Sequence, residues 1–76
     1  MAIKVNQSEL DKAFMKKRLI TDLEIADAIG VSSTQVWRVL RVPENDKRHN
    51  DPGVTFIDGV LRLFGIKRFH EFFYLI

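Results

Sequence analysis

The chain has 76 residues, with twelve Lys and Arg against ten Asp and Glu for a net charge of +2, so one domain with a modest core is expected. It has no cysteine and 46% apolar residues, which excludes disulfides and thiolate metal sites, argues against disorder and leaves no run long enough to span a membrane. A soluble cytoplasmic protein is the resulting expectation, and so small a charge permits nucleic-acid binding without requiring it.

Met1 to Val5 reads as a short lead-in from which Ile3 or Val5 folds back onto the core. Asn6 and Ser8 each offer a cap oxygen, with Glu9 and Asp11 three residues beyond, so the first helix begins between them and ends near Arg18. Its inward side is Leu10, Ala13, Phe14 and the stem of Lys17, and Leu19 and Ile20 turn toward the core. Lys16, Lys17 and Arg18 fall in the last turn, where the partial negative charge of the helix end favours cations. That explains them without a ligand; a phosphate contact is the alternative.

Thr21 followed by Glu24 is a capping box, which starts the second helix at about Asp22. Leu23, Ile25, Ala26 and Ile29 form its apolar side, and Gly30 supplies the positive φ that ends it. Ser32 with Gln35 repeats the capping signature, so a third helix runs from about Ser33 to Arg41 with Val36, Val39 and Leu40 inward. Ser33, Thr34, Trp37, Arg38 and Arg41 then occupy its start and exposed side.

Beyond Leu40, Pro43, Glu44-Asn45-Asp46 and Asn50-Asp51-Pro52-Gly53 enclose Lys47, Arg48 and His49 in a segment with no regular period, expected to be an exposed, mobile loop. Its basic triplet is a candidate for reaching a phosphate backbone, and its acidic flanks favour a solvated loop. Thr55 with Asp58 is expected to cap a fourth helix that carries Phe56, Ile57, Val60, Leu61 and Phe64 inward and closes at Gly65. Gly59 inside it is unfavourable by roughly 1 kcal/mol relative to alanine, which points to a close helix crossing. A fifth helix is expected from about Lys67 to Leu75; its Phe69, Phe72, Phe73 and Ile76 either finish the core or meet a second subunit.

The spacing of Ile25-Ala26, Gly30-Val31, Val36 and Val39 matches a small residue at a helix crossing, a turn glycine, and the buried positions of a second helix. On these residues the chain resembles the DNA-binding helix-turn-helix of the Cro/CI-like, lambda-repressor-like regulators of phages and bacteria. Pro52, Val54, Ile57, Phe64-Gly65-Ile66 and Phe72 continue the family's intervals, so the likeness covers nearly the whole chain from Ser8 onward. It implies an all-α fold, a compact five-helix bundle of one domain over residues 1–76, with the third helix presented to the major groove. Asp22, Trp37 and a loop about six residues longer than usual before Pro52 depart from the family pattern.

The function so implied is a sequence-specific transcriptional regulator, a repressor occupying a double-stranded DNA operator. A homodimer would bind two half-sites about one DNA turn apart. Arg38 would grip a guanine bidentately, Ser33 and Thr34 would donate to base edges or phosphates, and Trp37 could cover a thymine methyl. Arg41, Lys47 and Arg48 would hold the backbone. The alternative from another class is an antirepressor that uses the same scaffold, with Trp37, Arg38 and the loop, to bind and mask a protein such as a phage repressor. Catalysis finds no support: His49 and His70 stand in different segments with no partner at metal-ligand spacing, and no phosphate-binding glycine loop or nucleophilic set is present. No catalytic residue, metal or cofactor is expected.

Overall fold

Caps written into the sequence place the early helices, and partners distant in sequence place the rest. A computed structural model describes residues 2–76. The elements in order are β1 (Ile3–Val5), α1 (Gln7–Lys16), α2 (Asp22–Ile29), and α3 (Ser33–Val36), which continues as a π-helical turn (Trp37–Arg41). After the long loop come α4 (Val54–Phe64), a 3-10 turn (Ile66–Arg68), α5 (Phe69–Phe72) and β2 (Phe73–Leu75). The protein is mostly helical, with one small antiparallel sheet.

Three starts follow the capping rule. The Asn6 side chain accepts from the Glu9 amide at 3.4 Å, and Ser32 accepts from the Gln35 amide at 3.1 Å. At α2 the box is complete: Thr21 accepts from the Glu24 amide at 3.1 Å, and the Glu24 carboxylate accepts from the Thr21 amide at 3.0 Å. The Thr21 amide and hydroxyl together hold the Glu24 carboxyl below its ordinary pKa. Gly30 stands at φ +78° and ends α2 in the left-handed conformation.

Several sequence expectations are corrected. The first helix runs to Lys16 with Lys17 as its C-cap and closes at Arg18, as expected, where the backbone adopts φ +62°. The Leu19 amide then donates to Phe14 and the Arg18 amide to Met15, both at 2.9 Å, which is the paired closure of a Schellman motif. Leu19 packs on the core, whereas Ile20 does not. Leu23 is 62% exposed, since a residue two positions before Ile25 points to the opposite side of a helix. Thr55 and Asp58 do not cap α4: the helix already starts at Val54 after Gly53, and Asp58 binds Arg62 one turn on at 2.6 Å.

The largest correction lies at the C-terminus. Instead of a helix to Leu75, α5 ends at Phe72, and β2 pairs with β1 in the register Ile3–Leu75, Lys4–Tyr74, Val5–Phe73. The all-α expectation therefore holds only for the body of the fold. Phe73, Tyr74 and Leu75 suit a pleated strand, and the lead-in supplies the missing partner: Asn6 donates to Phe72 at 2.7 Å, and Ala2 and Ile76 exchange bonds of 3.0 and 3.1 Å. This pairing buries Val5, Phe72 and Phe73, while Ile76 remains exposed.

Together with Leu10, Phe14, Ile25, Ile29, Val36, Val39, Phe56 and Val60 these residues make one continuous core. Phe64 closes one flank against Phe14 and Phe72, with ring centroids at 5.5 and 5.0 Å. Gly59 is where α4 meets the end of α2. A Cβ there would strike the carbonyl oxygen of Ile29 and come within 2.6 Å of its Cβ, so the expected close crossing is present and excludes any side chain.

Candidate nucleic-acid interface

Helix geometry alone decides which side of α3 is free. Val36, Val39 and Leu40 are buried, leaving Ser33, Thr34, Trp37 and Arg38 exposed. Ser33, Thr34 and Trp37 border a shallow depression of about 290 Å³ with Asp22 from the start of α2. Trp37 is 37% exposed, so its ring is partly covered and partly available. Arg38 has no ion-pair partner among the described residues, and its guanidinium is free to meet a ligand.

The expected third helix is not uniform. From Trp37 the backbone widens into a π-helical turn, and the Val42 amide donates to the Trp37 carbonyl at 3.2 Å. A helix ending this way leaves several carbonyls without partners, and chain segments far away supply the donors. The Gln7 side-chain amide donates to Val39 at 2.9 Å and to Val42 at 2.8 Å. The Asn50 amide donates to Arg38 at 3.1 Å. His49 Nδ1 lies 2.9 Å from the Val42 carbonyl, a contact that requires the proton on Nδ1.

The segment 43–53 is largely exposed, as expected, and is tied to distant parts of the chain rather than free-standing. The His49 side chain is only 4% exposed. Its Nε2 is buried without a hydrogen-bond partner among the described residues, 3.7 Å from the Asp51 carboxylate. Asp51 takes Lys4 of β1 at 2.7 Å, and Glu44 accepts from the Tyr74 hydroxyl of β2 at 2.6 Å. That hydrogen bond to a carboxylate holds the Tyr74 phenol above its ordinary pKa.

Two of the expected backbone-holding arginines are engaged within the protein. Arg41 bridges helices, with Nη1 2.7 Å from Asp11 and Nε 3.0 Å from Asp22. Partial burial works against its charge, yet the hydrogen bonds it donates to Asp11 and Asp22 prevail and hold the guanidinium above its usual pKa. The same bridge explains the carboxylate at the start of α2: Asp22 is paired by Arg41. Arg48 binds Asp46 through Nε and Nη2 at 3.1 and 2.9 Å, and this hydrogen bonding pulls the Asp46 carboxyl down to about 2. So held, the Arg48 guanidinium lies 5.7 Å from the centre of the Trp37 ring.

Ser33, Thr34, Trp37, Arg38 and Arg48 are thereby brought to one side of the molecule, with Lys47 exposed beside Arg48 in the chain. Arg41 is turned to the carboxylates of α1 and α2. Sequence reasoning missed Gln7 and the buried ring of His49, since neither has a local signal; their partners lie thirty-two to thirty-five and seven residues away. Among the described residues no three His, Asp or Glu gather at a metal-binding spacing, and no helix is long and apolar enough to cross a membrane.

Comparison with protein-family models, characterised proteins and solved structures returns no match.

Proposed function

We propose that the protein is a sequence-specific DNA-binding regulator of the helix-turn-helix kind, which lays α3 and its π-helical extension in the major groove. One observation carries this reading: Ser33, Thr34, Trp37 and Arg38 share the exposed side of a helix whose other side is locked into the core. Arg38 is the base reader, since an unpaired guanidinium can take O6 and N7 of a guanine together. Ser33 and Thr34 meet base edges or the nearest phosphate, and Trp37 with Arg48 stacked on it covers the groove wall. Lys47 supplies a backbone contact from the loop. Arg41 orients the helix through Asp11 and Asp22 instead of touching phosphate.

Repression follows from occupancy of an operator, with two copies on half-sites about one DNA turn apart. The test uses the single tryptophan: duplex selected from a random pool is titrated at several salt concentrations while Trp37 fluorescence is followed. The expected result is a fluorescence change with affinity falling steeply as salt rises. Arg38→Ala should reduce discrimination between selected and scrambled duplex by about 1–3 kcal/mol. A folded protein whose fluorescence is indifferent to DNA at low salt would overturn the reading.

A specific observation favours a second reading. Arg41 and Arg48 already satisfy carboxylates of this chain, and Glu24 and Asp27 on α2 add exposed negative charge. An antirepressor that buries Trp37 against another protein has less need of free cations there. Unchanged DNA behaviour in Arg38→Ala, with loss of a repressor partner in Trp37→Ala, would select it.

A further inference from the structure

Charge is spread unevenly over this molecule. Lys12, Lys16, Lys17, Arg18, Lys67 and Arg68 stand in the second half of α1, the turn after it and the 3-10 turn. The acidic residues beside them are Glu9 and Glu71. Half of the basic residues are therefore gathered at the α1/α5 end, and the remainder of the chain, including the side that carries α2 and α3, is net acidic.

Between α1 and α5 four of them, Lys12, Lys16, Lys17 and Arg68, line a cleft of about 310 Å³. Ala13 and half-buried Phe64 form its apolar floor, and Lys12, Lys16, Lys17 and Arg68 surround it. The Lys17 ammonium and the Arg68 guanidinium lie 5.5 and 5.3 Å from the centre of the Phe64 ring, so the aromatic surface itself holds cations in place. Glu71 fixes Arg68 through contacts of 2.9 and 3.1 Å. Lys16 and Lys17 have no ion-pair partner among the described residues.

We infer that this cleft docks an acidic segment of another protein, one in which carboxylates alternate with apolar side chains. Free ammonium groups around an apolar floor complement that chemistry in both respects. A duplex fits less well, since its continuous line of phosphates would face Glu9 and Glu71 as well as the lysines. A peptide can direct its carboxylates to Lys16 and Lys17 and leave its amides for Glu9.

The cleft is separate from the proposed DNA-reading side. On α1, Gln7 and Asp11 face the third helix, whereas Lys12 and Lys16 project from other sides of the same helix and Lys17 follows at its end. One face can thus be occupied while the other is, and the inference does not depend on DNA binding by α3.

The test follows backbone amides by NMR while the isotope-labelled protein is titrated with three probes. These are a short peptide alternating glutamate and leucine, a polyglutamate peptide of equal length, and a duplex. The alternating peptide should shift the amides of Lys12, Ala13, Lys16, Lys17, Phe64 and Arg68, and should bind at least about tenfold more tightly than polyglutamate. Lys16→Glu with Lys17→Glu should abolish those shifts. Lys12→Glu with Lys16→Glu, both away from the core, gives the same reading should the first pair disturb folding, and Lys47→Glu should leave peptide binding intact. Three outcomes overturn the proposal: no shift at the cleft with the alternating peptide, equal binding of polyglutamate, or cleft amides that move with duplex instead. Arg38→Ala reports on the DNA reading alone, so either failure is read separately.

Discussion

The α2–α3 pair and the segment from Val42 to Gly53 are neighbours in the chain and are held in different ways. Each helix of the pair begins on a side-chain cap three residues from its partner amide, and the turn between them rests on Gly30 at φ +78°. The following segment has no repeating bonds of its own. It is fixed by Gln7 from α1, Lys4 from β1 and Tyr74 from β2. Local order needs only the right residues in sequence, whereas the loop is ordered only once the termini have met. The two regions should therefore respond differently to mutation.

The largest expected effect comes from the terminal sheet on which the loop is fastened. Phe73→Ala removes a ring that is 1% exposed and should destabilise the protein by about 3–5 kcal/mol. Thermal or urea unfolding measures it, with an accompanying loss of amide protection around Tyr74 and Glu44. A loss below about 1 kcal/mol would mean that β2 is dispensable and that the loop stands without it.

Gln7→Ala comes next. It strips the donor from the carbonyls of Val39 and Val42 and should cost about 1–3 kcal/mol, with faster hydrogen exchange in the π-helical turn than in α2. Thr21→Ala removes a cap within the pair and should cost about 1 kcal/mol, leaving exchange in the loop unaltered. If Thr21→Ala proved the more damaging of the two, the contrast between local and distant support would be reversed.

The smallest effect is a titration. The folded-state pKa of Asp46, about 2, lies below its unfolded value, so the Asp46–Arg48 tie is fully present above the ordinary aspartate range and is lost as pH falls through about 2. Because Arg48 lies over Trp37, tryptophan fluorescence should change with a midpoint near that pH. Circular dichroism recorded alongside separates this step from acid unfolding, and Asp46→Asn should abolish it.

Five helical segments, the caps at Thr21 and Ser32, the Gly59 crossing and the exposed row Ser33, Thr34, Trp37 and Arg38 were legible in the residues themselves. Each depends on chemistry within one helical turn or on the period of burial, which a sequence displays directly. The start of α4 was misread, since Thr55 and Asp58 form an equally good local signal that the chain does not use. Local patterns also could not show that Arg41 would be drawn to Asp11 and Asp22, thirty and nineteen residues away.

What only the tertiary structure decided shares one physical cause. Phe73, Tyr74 and Leu75 suit helix burial and strand pairing alike, and the presence of Ile3–Val5 alongside tips them to a strand. The exposed loop is tied down through Gln7, His49 and Asn50, because the unsatisfied carbonyls at the end of the third helix need donors. The basic cleft likewise exists only where α1 and α5 pack with Phe64 between them, placing four cations around one cleft of a chain whose net charge is +2. Sequence determined the elements with local support; the fold decided which groups distant in the chain became one another's partners.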